Sequence, residues 1–256
     1  MLRKRLIGVV TIRNNWAVQS FGYNHYLPLG KPECVVENLD RWGVDEILIQ
    51  VIDRSISHRG PDLALMDKIA NQGISTPLTY CGGISSETDA VNVIRAGADR
   101  ICIDTLLHTD ALAVRHIASR LGAQAIIASL PLAIDNDGVL SWYNYQIKQQ
   151  APISNDVVSL INEGVISEAL LIDYQHEGMP DAYDLRLRDN FFSKSLPLIL
   201  FGGLSSGEQI EEALHDSRVS AVAVGNFLNY QEHAVQKLKS KLALIPVRPP
   251  FYYEPS

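Results

Sequence analysis

Short, wholly apolar runs alternate along the chain with stretches whose apolar residues recur every three to four positions. The runs fall at 6–12, 46–52, 78–80, 100–103, 125–129, 169–172, 198–201 and 221–224, and they are rich in Ile, Val, Leu and Ala. Little polar alternation interrupts them, as strands buried on both faces of a parallel sheet require. Helical spacing marks 63–72, 86–95, 110–121, 154–163, 207–215 and 231–242. Asp110 and Ser154 are the expected N-caps, and Gly97 the expected stop of the second of these helices. Roughly eight strand–helix units in a chain of this length predict an α/β fold, a (β/α)8 TIM barrel, as one domain over 1–256. An open doubly wound sheet would need a Gly-x-Gly-x-x-Gly turn after a strand, and none is present.

Within this pattern one segment occurs twice. Pro77-Leu78-Thr79-Tyr80-Cys81-Gly82-Gly83-Ile84-Ser85-Ser86 returns 120 residues later as Pro197-Leu198-Ile199-Leu200-Phe201-Gly202-Gly203-Leu204-Ser205-Ser206. Each copy reads as a strand, a Gly-Gly turn and a Ser-Ser helix start, so the chain is expected to be a duplicated half-barrel. Glycine lets backbone N–H groups approach a ligand, and a helix N-terminus favours an anion. Two such turns predict a ligand with an anionic group at each end, phosphates above all. Two connections are long. The first, 13–32, carries Trp16, Phe21, Tyr23, His25 and Tyr26 and is expected to be a loop-like lid over the barrel mouth. The second, 134–152, has Asn136-Asp137-Gly138 beside Val139-Leu140-Ser141-Trp142 and reads as an inserted β-hairpin. The tail 246–256, rich in proline and aromatics, is expected to strap the outside.

Composition narrows the partners. A net charge of −7 and a pI near 5.5 argue against nucleic-acid and anionic-membrane surfaces. No apolar run is long enough to cross a bilayer, and the basic start followed by 6–10 is too short for a signal peptide. Cys34, Cys81 and Cys102 are scattered, which indicates neither a disulfide framework nor a zinc site. The expectation is a cytoplasmic protein without metal or cofactor.

Seven segments, in order, then carry a family resemblance: Met1-Leu2-Arg3-Lys4-Arg5-Leu6-Ile7, Gly43-Val44-Asp45-Glu46, Cys81-Gly82-Gly83-Ile84, Gly97-Ala98-Asp99-Arg100, Gly122-Ala123-Gln124-Ala125, Glu168-Ala169-Leu170-Leu171 and Gly202-Gly203. Through them the chain resembles, over nearly its whole length, the cyclase subunit of imidazole glycerol phosphate synthase. The resemblance implies a duplicated half-barrel, a substrate with two phosphates, and ammonia delivered through the barrel from a glutaminase docked on its bottom face. It also implies an acid and a base from two aspartates near the ends of strands 1 and 5, where this chain has Thr11 and Pro131. Neither can act as a general base near neutral pH. The family's loop lysine stands as Gln19 and its strand 2 aspartate as Val51.

The bottom face fares differently. Arg5, Glu46, Arg100 and Glu168 match the charged ring that gates ammonia entry, with Arg100 in place of a lysine, and Asp45, Asp99 and Gln124 match glutaminase-docking positions. For phosphate, Gly82, Gly83 and Thr105 fit one site, and Gly178, Gly202, Gly203, Gly225 and Asn226 the other. Asp104 stands where the family has asparagine and would repel phosphate as a carboxylate. Leu204 replaces a small residue and would crowd the second turn. Asp53 and Asp173 are the remaining acids near the mouth. His25 and His176 lie on mouth loops, whereas His58, His108 and His215 read as surface residues. These features predict a divergent, non-cyclising barrel that docks a glutaminase as a heterodimer and passes ammonia to an acceptor such as a sugar amidotransferase of surface-polysaccharide synthesis. The alternatives are a genuine cyclase with substitute acids and a barrel that only binds and activates its partner.

Overall fold

Eight parallel strands close into a barrel in the computed structural model, which describes residues 3–242 and 244–250. They are β1 (Arg5–Arg13), β2 (Glu46–Val51), β3 (Leu78–Cys81), β4 (Arg100–Ile103), β5 (Ile126–Ile134), β6 (Glu168–Asp173), β7 (Leu198–Phe201) and β8 (Val219–Val224). Each pairs in parallel with the next, and β8 returns to β1 with Arg5 opposite Ala221. Helices lie between them, so the fold is the (β/α)8 barrel. The two Gly-Gly turns follow β3 and β7, four strands apart in a ring of eight. They therefore face each other across one end, the mouth.

Strand alternation divides the apolar residues into two cores. Leu6, Val10 and Ile12 point out to pack under the helices, while Ile7 and Val9 point into the barrel with Leu48, Leu170 and Ile199. The helix starts follow their caps. The Asp110 carboxylate accepts from the Ala113 N–H at 2.9 Å and the Ser154 hydroxyl from the Val157 N–H at 3.4 Å.

The 13–32 connection is not a loop. Trp16–Phe21 and His25–Gly30 form an antiparallel hairpin that continues β1. Asn14 and Asn15, both at positive φ (51° and 64°), make the two-residue turn that lets Trp16 pair with Arg13. The second hairpin, Leu140–Asn144 with Gln149–Pro152, continues β5 in the same way. Both halves of the barrel thus carry one hairpin in the same place. A helix absent from the expectations, Pro32–Trp42, follows the first hairpin. The region after β6 holds only a four-residue helix, Arg186–Asp189. At the tail, the Lys4 N–H donates to the Pro246 carbonyl (2.9 Å), holding the start of the expected strap. The rest of that strap, 251–256, and Met1 and Leu2 of the opening segment lie outside the described residues. Among the described residues no helix is long and apolar enough to cross a membrane.

Candidate functional site

The bottom of the barrel holds one connected charge cluster. The Arg5 guanidinium donates to Glu46 at 2.8 Å and, through its other nitrogen, to Glu168, and Glu168 also accepts from Arg100. Thr79 and Ser220 hydroxyls complete the carboxylates, donating to Glu46 and Glu168 respectively. Glu46 and Glu168 are buried, while both arginines keep partial exposure. Burial alone would raise the Glu168 pKa; the Arg5 hydrogen bond and charge, with Arg100 behind them, outweigh it and hold the carboxyl below its ordinary value. Two arginines and two glutamates cancel in charge, as a buried cluster of ion pairs needs.

Of the three residues matched to docking, Asp99 and Gln124 are exposed near the ring, and the Gln124 carbonyl accepts from Arg100 Nε at 3.1 Å. Asp45 is not available to a partner. It is 5% exposed, accepts from the Leu6 N–H and is paired at 2.8 Å with the buried Lys239 ammonium. Its work is to tie the first strand to the last helix.

Above the ring the barrel interior is apolar, with Ile7, Val9, Leu48, Leu170 and Ile199 among its lining. Thr11 and Gln50 stand at its top, opposite each other in register. Gln50, not Val51, is the inward residue here: Val51 turns into the outer core, because inward positions on β2 run Glu46, Leu48, Gln50. Tyr23, carried in by the first hairpin at φ 51°, packs against this interior and donates to the Gln50 side chain at 3.2 Å. Burial raises its phenol pKa well above the ordinary value, so it stays neutral.

A cavity of about 440 Å3 opens at the mouth between the two hairpins and the first Gly-Gly turn. Ser129 and Pro131 of β5 line it, and so do Tyr26, Tyr143, Tyr145 and Tyr174. Among its described lining residues Asp104 is the one acid and Lys148 the one base. Asp104 accepts from the Trp142 indole at 3.0 Å, and burial pushes its carboxyl up to about 8. At neutral pH it is therefore mostly uncharged and does not repel an anion, contrary to the expectation from sequence. His108, read there as a surface residue, stacks on Trp142 with ring centroids 3.7 Å apart, and burial pulls its pKa down to about 4.

A second cavity, about 380 Å3, lies at the other Gly-Gly turn, bordered by Gly178, Gly202, Gly203, Gly225 and Asn226. Leu204 borders it too, but is buried with the main core at 4% exposure rather than displaced into it. Glu177 and Gly178 serve the hairpin: the buried Glu177 carboxylate accepts from the Ser20 hydroxyl (2.9 Å) and the Tyr23 N–H (3.1 Å). Asn226 bridges both backbone groups of Ser20.

The Gly-Gly turns are demanded by the fold before any ligand is considered. Gly82 sits at φ 133°, and a Cβ there would lie 2.2 Å from the Val51 carbonyl oxygen; at Gly202 the corresponding contact is 2.5 Å to Asp173. Gly82→Ala is expected to destabilise the barrel by more than about 2 kcal/mol, read as a lower urea midpoint with an unchanged slope. Gly225 is different. Its φ is negative and a Cβ would meet nothing closer than 3.7 Å, so a side chain there has room beside the second cavity. The donors of the Ser-Ser helix starts are already taken, although Ser205 borders the second cavity. Asp89 accepts from the Ser85 N–H and hydroxyl, and Asp181 from the Ser205 hydroxyl and Ser206 N–H, so each helix end already holds a carboxylate of the chain.

Neither remaining acid borders the two cavities. Asp53 pairs with Arg59 at 2.9 Å and borders neither cavity. Asp173, the last residue of β6, points away from the interior, because Leu170 and Ile172 take the inward positions. It is 2% exposed and holds His176 Nδ1 at 2.7 Å and two backbone N–H groups. His176 is thereby a structural partner, and His25 is exposed on the first hairpin. Gln19 lies opposite Leu27 in that hairpin.

Comparison with known proteins agrees with this arrangement. The chain is 29% identical over 244 residues to a Vibrio vulnificus (strain YJ016) protein provisionally named imidazole glycerol phosphate synthase subunit hisF2, covering 94% of this chain and 89% of that one. It is 29% identical over 248 residues to the imidazole glycerol phosphate synthase subunit HisF of Bacillus cereus (strain G9842), covering 94% and 96%. For the HisF subunit of Natranaerobius thermophilus the identity is 25% over 244 residues, covering 95% and 97%. Residues 5–234 match the model of the histidine biosynthesis protein family, so a closed barrel with a duplicated Gly-Gly turn and this sequence signature belongs to that family.

Proposed function

We propose that this chain is the barrel half of a glutamine-dependent ammonia-transfer pair and has no cyclase activity of its own. A glutaminase docks over the face where the strands begin, near Asp99 and Gln124. Ammonia enters through the ring of Arg5, Glu46, Arg100 and Glu168, crosses the apolar interior, and leaves at the mouth toward an acceptor enzyme, a sugar amidotransferase. The observation that carries this reading is a contrast within one molecule. The entrance cluster is complete and internally neutral, while the mouth has Thr11 and Pro131 where paired acids would be needed. An apolar interior favours this traffic because neutral ammonia crosses it at little cost, whereas ammonium would have to shed its hydration.

The mouth itself supports an acceptor protein. Of the nine large apolar side chains exposed among the described residues, seven (Trp16, Leu27, Ile56, Val139, Ile147, Met179 and Tyr230) sit on segments that follow barrel strands. Exposed apolar groups gathered on the connections that follow strands favour an interaction face at that end. Supplied with the family's two-phosphate substrate and ammonium salt, the purified chain is expected to show no turnover above background. Asp104 favours a second reading, a cyclase with a relocated acid, because it is a cavity carboxyl that holds a proton at neutral pH. Turnover abolished by Asp104→Asn would establish that reading and overturn ours.

A further inference from the structure

The two Gly-Gly turns are related by the duplication, yet their polar groups are not equally free. At the first, the Gly83 N–H donates to the Ser55 hydroxyl at 3.0 Å. The Thr105 hydroxyl meets the Tyr145 hydroxyl at 2.9 Å, and the Ser55 hydroxyl lies beside the same phenol. Tyr145 arrives from the turn of the second hairpin, between Leu140–Asn144 and Gln149–Pro152. At the second turn, the Gly203 N–H has no protein acceptor among the described residues, and the side chain that the first hairpin brings to this cavity, Phe21, has no hydroxyl to offer it.

We propose that Tyr145 is a built-in occupant of the first cradle: its hydroxyl takes Thr105 and backs the Ser55 hydroxyl that takes the Gly83 N–H, where a ligand's anionic oxygen would otherwise sit, so the mouth holds an anion only at the Gly202-Gly203 turn. The inference rests on reading the Gly-Gly turns as ligand sites and goes beyond it by assigning specificity. A ligand with one anionic end and one neutral end fits. The neutral end meets hydroxyls and aromatic rings, since Tyr145, Thr105, Ser55 and the stacked pair Tyr143–Tyr174 (centroids 4.1 Å apart) offer hydrogen bonds and apolar faces, with Lys148 the one cation along the cavity wall. A ligand with a phosphate at each end would have to expel the phenol and break its hydrogen bonds.

Inorganic sulfate, whose charge is constant across the neutral range, is the probe. Calorimetric titration at pH 7 is expected to give one sulfate per chain for the wild type and two for Tyr145→Ala, with Tyr145→Phe remaining at one because the ring still fills the space. Gly225→Val, which projects a side chain into the second cavity, is expected to abolish the wild-type equivalent. Circular dichroism checks that each variant is folded, and Tyr145 lies outside the core, so truncation leaves the barrel intact. A wild type that takes two sulfates, or a Tyr145→Ala variant that takes no more than the wild type, would overturn the assignment of Tyr145. If the wild type takes none and Tyr145→Ala takes one, Tyr145 stands as the occupant and the second turn fails as a site. Retention of the wild-type equivalent in Gly225→Val would likewise overturn the second turn alone.

Discussion

Replacing Arg5 with alanine is expected to weaken the barrel by about 3–5 kcal/mol, the usual penalty for leaving a buried charge without its partner, and to uncouple the proposed glutaminase. Glu46 would keep only the Thr79 hydroxyl among its side-chain donors, while Glu168 would keep Arg100 and Ser220. The sign with pH follows from Glu168. Its folded pKa lies below the unfolded one, so its contribution is present above the ordinary carboxylate pKa and is lost as pH falls through the folded value. Arg5→Ala should therefore differ from the wild type most at neutral pH and converge with it in acid. In the complex, docking should survive because the exposed Asp99 and Gln124 are untouched. Glutamine would be consumed while ammonia escapes to solvent, so the ratio of aminated product to glutamine used should fall. Gln124→Ala is the contrasting variant: its side chain is exposed, so it should weaken docking and leave that ratio alone. An unchanged ratio in Arg5→Ala would make the ring a structural plug and favour a barrel that only binds its partner.

Asp104→Asn is expected to stabilise the protein, a direction opposite to most substitutions of buried polar groups. Burial is the chief cause of the raised carboxyl pKa, and the Trp142 hydrogen bond only partly offsets it. A folded value above the unfolded one means that the native state binds more protons between the two, so stability falls as pH rises from about 4 to about 8. At about 1.4 kcal/mol per pH unit the rise from the ordinary carboxyl value to about 8 would correspond to ~6 kcal/mol, and because the group borders a cavity we expect about 2–3 kcal/mol at pH 8. Asparagine can still accept from the Trp142 indole and has nothing to ionise. Denaturant melts at pH 5 and pH 8 test this: the wild type should lose stability between them, and Asp104→Asn should lose less. Equal losses would place the titrating group elsewhere.

Much of this molecule was legible before folding, and where it was, one strand's alternation sufficed. Arg5, Ile7, Val9 and Thr11 share a face whatever surrounds them, so the order of charge, apolar lining and polar top could be read from β1 alone. The first hairpin and the helix Pro32–Trp42 were missed although both had signals. Asn14-Asn15 is a two-residue turn favouring positive φ, and Pro32 at the first helical turn with Gly43 beyond the end brackets the apolar Val35, Val36 and Leu39. Read as a lid, this stretch hid the hairpin that matches the one after β5.

Other readings failed where they depended on a neighbour. Asp173 and Val51 sit at strand ends, where a shift of one residue turns a side chain from the interior to the outer core. Asp45 was matched to a docking surface, but only packing shows Lys239 closing over it. By itself the sequence determined the barrel, its duplication, the residues of the charged ring and the absence of acids at Thr11 and Pro131, because these rest on periodicity and on residue identity at a position. Tertiary structure alone decided that Asp104 is buried against the Trp142 indole, that the Tyr145 hydroxyl meets Thr105 beside the first Gly-Gly turn, and that the second Ser-Ser helix start is closed by Asp181. Each of these depends on burial or on a side chain arriving from a distant segment, and neither is a property of a residue taken in sequence order.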